Sequence, residues 1–550
     1  MNNAVKIGPF DLLARSVSID LEVDPREARI FAFAAVARDP GSPSLVSKEN
    51  GGAILPELDA FCQGFDHVIG HNILRHDLPY LTAASPKFAR LADAPIDTLW
   101  LNPLAFPRNP YHHLVKHYQD GRLQTGHVND PEFDARLVFQ VLENQIEEFA
   151  KLNVKTPEAL VAYHYLCCRS PRSGGFQQLF SLIRNAAIPE RSAAQNAIRK
   201  LLSSTACSQE VERTLEQIDN TSLSWPIAYA LSWISVAGGD SVMPPWVRAQ
   251  FNDASRIVRA LRDSKCGSPT CLYCRTNHDP KQALSRWFGF EKFRSEPVDE
   301  FGRSLQERIV ECVMLGESLL GILPTGTGKS ICYQIPALSR FDKTGALTVV
   351  ISPLVALMAD QVQGLARAGI SSAVTINGLL SLPERNDAID KVRMGDAAIL
   401  LISPEQLRNI SVRTVLAQRE VGLWVLDEAH CVSKWGHDFR PDYRYVARFI
   451  NEHSGDEIPP ILCLTATAKP AVVQDICGHF NERLGRELML LDGGASRSNL
   501  SFEVLPTQRT TKMADILDTL EAHLPTTGAS GAVIPTVGFV DSFVIFQVCW

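Results

Sequence analysis

The chain has 550 residues, a net charge of −7, 45% hydrophobic residues, 21% charged residues and 13 cysteines. That length exceeds one ordinary core and implies several domains. The acidic balance excludes a histone-like coat for nucleic acid, though not an enzyme that presents one basic groove. The opening stretch MNNAVKIGPFDLLARS has no basic segment followed by an apolar one, so no signal peptide is read there. The cysteines read as scattered reduced thiols, and a cytoplasmic location is expected.

Residues 1–150 begin with two apolar runs, VSIDLEV and RIFAFAAVA, that predict neighbouring strands. Asp20 and Glu22 stand two apart on the first, so both carboxylates leave one face of the strand. Such a pair suits two Mg²⁺ ions, which activate a water and stabilise a leaving oxygen. Gly70, His71, Asn72 and Asp77 follow, then His127, and Asp134 opens a helical run, DARLVFQVLENQIEEFAKL. This ordered series resembles the DnaQ-like 3′–5′ exonucleases over roughly residues 15–150, which implies an RNase H-like domain. By that resemblance Asp20, Glu22, Asp77 and Asp134 bind the metals and His127 is the general base. His127 lies two residues farther from Asp134 than the family usually places it, and an ordinary surface histidine is the alternative.

From 151 to 285 the pattern is helical, broken at SPRSGG, NTSLSWP and MPPW, and predicts a connector domain. Near its end Cys266, Cys271, Cys274 and His278 form a compact set. Thiolates and imidazole suit a tetrahedral Zn²⁺; free thiols are an equal alternative and an iron–sulfur cluster a lesser one. Around them Arg256, Arg259, Arg262, Lys265, Arg275, Lys281, Arg286, Lys292 and Arg294 face few acids, with Tyr273, Trp287 and Phe288 interleaved. Taken alone, the stretch reads as a solvated charged face or as a track for DNA.

From 286 to 500 the runs SLLGILP, ALTVVISP, AAILLISP, GLWVLDE and PPILCLTAT alternate with helical segments. That alternation predicts a parallel sheet covered on both faces, with ligands beyond the carboxyl ends of its strands. The first run leads into Leu323, Pro324, Thr325, Gly326, Thr327, Gly328, Lys329 and Ser330. Glycines there let backbone N–H groups curl round phosphate oxygens at a helix start. Lys329 would reach the β- and γ-phosphates of ATP, and the Ser330 hydroxyl would ligate Mg²⁺. A later strand ends at Asp427 and Glu428, the first placed to hold that Mg²⁺ and the second to polarise the attacking water.

The segment from Phe288 to about Asn499 resembles the RecQ family of superfamily 2 DNA helicases, whose first motor lobe is RecA-like. The matching stretches are Phe288-Gly289-Phe290 with Phe293-Arg294, Gln306, the loop 323–330 continuing as ICYQIP, SPLVALMADQ, SPEQL, DEAHCVSKWGHDFRPDY, LTATA and Ser498-Asn499-Leu500. The resemblance implies that Arg294 and Gln306 recognise adenine and that Thr465 and Thr467 link nucleotide state to DNA grip. It also implies that Trp435, His437, Phe439 and Arg440 sense single-stranded DNA; rings and a guanidinium are sequence-tolerant surfaces for stacked bases. The segment SEPVDEFGRSL between Arg294 and Gln306 is longer than the family norm.

After Leu505 the sequence predicts only a linker helix and one strand, so a second RecA-like lobe is expected to be essentially absent and 501–550 to be its truncated start. The closing run GAVIPTVGFVDSFVIFQVCW carries Pro535, Asp541 and Gln547 and is not read as a membrane span. The expected function is ATP- and Mg²⁺-dependent unwinding of DNA, 3′ to 5′, fused to a 3′–5′ exonuclease acting on single strands or 3′ ends, with unwinding impaired by truncation. The alternatives are an exonuclease-only enzyme and a non-catalytic remnant that binds ATP and DNA.

Overall fold

The computed structural model describes residues 8–109 apart from 25, 28, 40, 42 and 49–53, and residues 130–494 apart from 170–171, 238–242, 436–438, 456 and 467–468. It also describes the backbone of 118–119 and 122–123, and residues 506, 508 and 510–523. Residues up to 495 form one unit and those from 496 another. Of the second, the helix Lys512–His523 is described, and most of the expected start of a second lobe lies outside the described residues.

The first sheet has five strands: β1 (Ser16–Asp24), β2 (Arg29–Ala37), β3 (Ser44–Ser47), β4 (His67–Gly70) and β5 (Pro95–Asp97). Their order is β3-β2-β1-β4-β5. The first three pair antiparallel, and β4 and β5 join parallel. The two predicted strands are thus neighbours, with Asp20 opposite Ala34 and Glu22 opposite Ala32, and a register shift follows Glu22. One face of the sheet packs Ile19, Leu21, Phe33, Leu78 and Phe88 into a core of its own.

The other face carries Ala34, Val36 and Ile69 into a larger core. The helix Pro131–Lys155 lays Val138, Leu142, Ile146 and Phe149 on it at helical spacing, and this helix carries the chain across residue 150. The same core continues through connector helices, including Pro157–Cys167, Gly174–Arg184, Ser224–Ile234 and Asp253–Asp263. No strand occurs among the described residues of 151–285. A short hairpin, β6 (Tyr118–Gln119) with β7 (Arg122–Leu123), falls in the chain between β5 and the helix Pro131–Lys155.

The second sheet is parallel throughout: β8 (Leu319–Ile322), β9 (Leu347–Ile351), β10 (Ala373–Ile376), β11 (Ile399–Ile402), β12 (Val421–Leu426), β13 (Ile461–Thr465) and β14 (Met489–Asp492). The order is β10-β11-β9-β12-β13-β8-β14. Because side chains alternate along a strand, Leu423 and Val425 of β12 enter the core on one face and Trp424 and Leu426 that on the other. This is why the strands read as unbroken apolar runs, and it places the chemistry at their carboxyl ends.

The connector is fastened to this second sheet by charge. Asp263 meets Lys343 at 2.6 Å and Arg340 at 2.9 Å, and both cations are buried in the helix Ile331–Thr344. Their charges hold the Asp263 carboxyl at about 2 against the opposing effect of burial. Arg262 donates to the Asp342 carbonyl and Arg286 pairs with the Asp342 carboxylate. Arg256 and Arg259 pair with Glu457, Arg259 also with Glu420, and Lys281 with Glu307. Arg256, Arg259, Arg262, Lys281 and Arg286 of the basic stretch therefore make contacts across this junction, a role the sequence did not suggest. Removing one partner of a buried pair such as Asp263–Lys343 typically costs about 3–5 kcal/mol.

Candidate active sites

The loop 323–330 joins β8 to the helix Ile331–Thr344, as the glycine pattern requires. Gly326 and Gly328 take φ of 87° and 78°, a left-handed region open to glycine at no steric cost. A Cβ on Gly328 would also stand 2.8 Å from Gln306 Nε2. That amide nitrogen donates to the carbonyls of Thr327 (3.2 Å) and Gly328 (2.9 Å), while Gln306 Oε1 accepts from the Arg294 backbone N–H (3.1 Å). Arg294 and Gln306 thus lie together beside the loop despite the long segment between them. That segment closes on itself: Val298 bridges Ser304, and the Asp299 carboxylate accepts from the backbone N–H groups of Phe301 and Arg303.

Opposite the loop, Asp427 continues the ladder of β12, its N–H donating to the Ile351 carbonyl. Glu428 turns off the strand at φ 49°, left-handed for a non-glycine residue, a conformation that costs energy and gathers at functional sites. Lys329 Nζ donates to Glu428 Oε1 at 3.3 Å. On its other side Glu428 Oε2 lies 3.3 Å from His430 Nδ1, which also lies 3.1 Å from the Thr465 hydroxyl at the end of β13. Hydrogen bonding with Cys431 and with Glu428 raises His430 to about 9. The bond from His430, and then the charge of Lys329, overcome burial and hold Glu428 below the usual carboxylate range. Burial, followed by the neighbouring Glu428, pushes Asp427 up to about 6. In the sequence His430 is part of the DEAHC run, and spacing alone gives it no task. Only the fold shows it joining the acid to Thr465; Thr467 lies outside the described residues.

The loop after this motif begins on a firm base. The Lys434 N–H donates to Asp475, which pairs with Arg444, and the Arg440 guanidinium donates to the Pro353 carbonyl. Trp435 is 75% exposed and Phe439 37%, so neither ring is a core residue. His437 lies outside the described residues.

In the first sheet, Asp20 and Glu22 leave β1, Asp77 opens the helix Asp77–Ala84, and Asp134 sits in the first turn of Pro131–Lys155. Asp77 and Asp134 are buried. Asp77 Oδ1 accepts from the Leu21 N–H at 3.0 Å, which locks its carboxylate against the strand between the other two acids. Burial, then the like charges of Asp77, Asp134 and Glu22, push the Asp20 carboxyl up to about 8, with His76 opposing them. Four acids from three elements therefore converge. His127 lies outside the described residues. The imidazole that the fold does place here is His76, 3.6 Å from Asp77 and raised by that hydrogen bond; sequence spacing did not single it out.

The cysteine set differs from expectation. Cys266, Cys271 and Cys274 are joined by Cys207, and the four Sγ atoms all lie within 4.8 Å of one another. His278 turns away: its Nδ1 lies 3.5 Å from Lys343 Nζ at the junction with the second sheet. Burial, then the Lys343 charge, lower it to about 4. A ring held neutral against a lysine is a packing element of the junction.

A family model described as DEAD/DEAH box helicase matches residues 303–476. The ATP-dependent DNA helicase RecQ of Bacillus subtilis (strain 168) is 40% identical over 238 residues, which are 43% of this chain and 37% of that protein. The probable ATP-dependent DNA helicase RecS of the same organism is 37% identical over 196 residues, 36% of each chain. The chain thus spans little more than a third of the length of these curated relatives. A solved structure of the DUF1998 helicase MrfA covers 45% of this chain and 37% of its own at 20% identity, with a TM-score of 0.34. With loop 323–330 facing Asp427 and Glu428 in a parallel sheet, the lobe that carries this site matches the DEAD/DEAH box helicase model and is similar in sequence to RecQ-type DNA helicases.

Proposed function

We propose that the chain is an ATP-driven motor that unwinds DNA 3′ to 5′, fused to a 3′–5′ exonuclease. For the motor, the observation that carries the reading is the 3.3 Å contact between Lys329 and Glu428, which sets the phosphate-binding loop against the water-polarising acid. Ser330 and Asp427 would hold the Mg²⁺ that accompanies ATP, and that ion neutralises charge on the phosphates. Arg294 and Gln306 lie where they would read adenine, and the exposed Trp435 and Phe439, with Arg440, would stack on unpaired bases.

The convergence of Asp20, Glu22, Asp77 and Asp134 supports the nuclease half. A pocket that forces a carboxyl up to about 8 fits divalent cations, since bound Mg²⁺ replaces the proton as the balancing charge. The mixed strand order, with three antiparallel strands and two parallel ones, supports the RNase H-like reading. The expected substrate is DNA with single-stranded or 3′ ends. Among the described residues no helix is long and apolar enough to cross a membrane; a cytoplasmic location is proposed for the chain.

Two variants separate the halves. Lys329→Ala should abolish DNA-stimulated ATP hydrolysis and leave Mg²⁺-dependent digestion of 3′ ends intact, while Asp20→Ala should do the reverse. DNA binding with neither digestion nor ATP turnover in the unmodified chain would overturn the proposal and leave a binding remnant. Digestion alone would leave an exonuclease.

A further inference from the structure

Cys207 stands immediately before the helix Ser208–Glu216, while Cys266 lies after Asp253–Asp263, Cys271 caps the helix Leu272–Asn277 and Cys274 sits in its first turn. Cys207 and Cys271 have their sulfurs 4.0 Å apart, about twice a disulfide bond of roughly 2.05 Å, so these are neighbouring thiols. Three of the four are buried and Cys266 is half-buried. Four sulfur atoms drawn from two distant segments to within 4.8 Å of one another is more than apolar packing requires.

The spacing between the sulfurs discriminates among ions. One zinc bonded to four thiolates at about 2.3 Å gives a tetrahedron with edges of about 3.8 Å, a small contraction from what is seen. An iron–sulfur cluster distributes its thiolates over several irons and so spreads them farther than a single ion does. We propose that Cys207, Cys266, Cys271 and Cys274 bind one structural zinc ion that staples the connector to itself beside the motor. Four protein sulfurs close the coordination shell, leaving no position for substrate.

What the staple steadies follows from its other contacts. The Cys207 N–H donates to the Leu261 carbonyl, and the Tyr273 hydroxyl donates to the Arg262 carbonyl. The next residue, Asp263, grips Arg340 and Lys343 in the helix that leaves the phosphate-binding loop. The zinc therefore holds the turn on which that helix is seated.

Elemental analysis of the purified full chain should find about one zinc per molecule and no stoichiometric iron. Cys207→Ser should lose most of the zinc, and His278→Ala should keep it. Cobalt exchanged into the site should show the intense thiolate charge-transfer and tetrahedral ligand-field bands of four-sulfur coordination. Stripping the metal with a chelator should lower the thermal midpoint and open residues 264–279 to protease. Four freely titrating thiols in the native chain as purified, before any chelation, stoichiometric iron with visible absorption, or zinc that depends on His278 and not on Cys207 would each overturn the assignment. An unchanged midpoint after stripping would overturn the staple. Should Cys207→Ser fail to fold, metal content and thiol titration of the unmodified chain decide alone.

Discussion

The chain holds two acidic pockets, and they balance their charge in opposite ways. In the first sheet Asp20, Glu22, Asp77 and Asp134 press together with His76 set against them, and the strain shows as a carboxyl held at about 8. In the motor Asp427 and Glu428 meet Lys329 and His430, so Glu428 falls below the usual range and Asp427 rises only to about 6. The first pocket thus has a charge deficit that a dissolved cation can fill. The second is internally compensated, and a nucleotide bound as proposed would have to draw Lys329 away from Glu428 before the lysine could meet phosphate. Metal should therefore act on the first as a stabiliser, and ATP on the second as a cause of rearrangement.

The largest expected effect tests the compensated pocket. Glu428→Gln keeps the shape of the side chain but removes the carboxylate that would polarise water, so ATP turnover should fall on the order of 10²–10⁴-fold while nucleotide binding persists. Retained turnover would reassign the acid to a purely structural contact with Lys329. The next effect tests the uncompensated pocket. In chelator, Asp20→Asn should raise stability on the order of 1 kcal/mol or more near pH 8, because it removes a charge the fold disfavours. The same variant should lose both the stabilisation by Mg²⁺ and the nuclease activity. A fall in the metal-free thermal midpoint would show that the four acids do not repel as inferred. A third and smaller effect lies outside both pockets. Trp435→Ala should weaken single-stranded DNA binding by about 1–3 kcal/mol and leave ATP binding alone, as measured by fluorescence anisotropy and nucleotide titration.

These pockets were not equally legible in the sequence. The motor site was readable because its parts lie at the ends of apolar strand runs, where a parallel sheet gathers them. Asp20 and Glu22 were readable as a pair because a strand repeats every two residues. The reach of Asp77 to the Leu21 N–H depends on a helix start no local pattern announces. Cys207 was missed because 58 residues separate it from Cys266 and no half-site spacing marks it. The junction contacts of the basic stretch are not legible locally because the partners, Glu420, Glu457, Asp342 and Glu307, lie far along the chain. Arg294 and Gln306 met because the Asp299 turn folds the intervening segment out of the way, which length alone could not reveal.

The smallest effect separates the pockets in one pH series. Asp20 has a folded value near 8 against an ordinary 3.8, so its metal-free contribution is full below about pH 4 and is lost as pH rises to 8. His430 is raised from 6.5 to about 9, so its contribution is full below 6.5 and disappears as pH climbs through 9. Both slopes run the same way and overlap above pH 6.5. They differ in what removes them. Mg²⁺ without nucleotide should flatten the slope below pH 8 by taking the place of the Asp20 proton. His430→Gln should leave the slope below pH 6.5 alone and remove only the share of the loss between 6.5 and 9 that His430 carries. If Mg²⁺ also flattened the loss between pH 8 and 9, His430 would not be the titrating group there, and the motor pocket would depend on cations as the first one does.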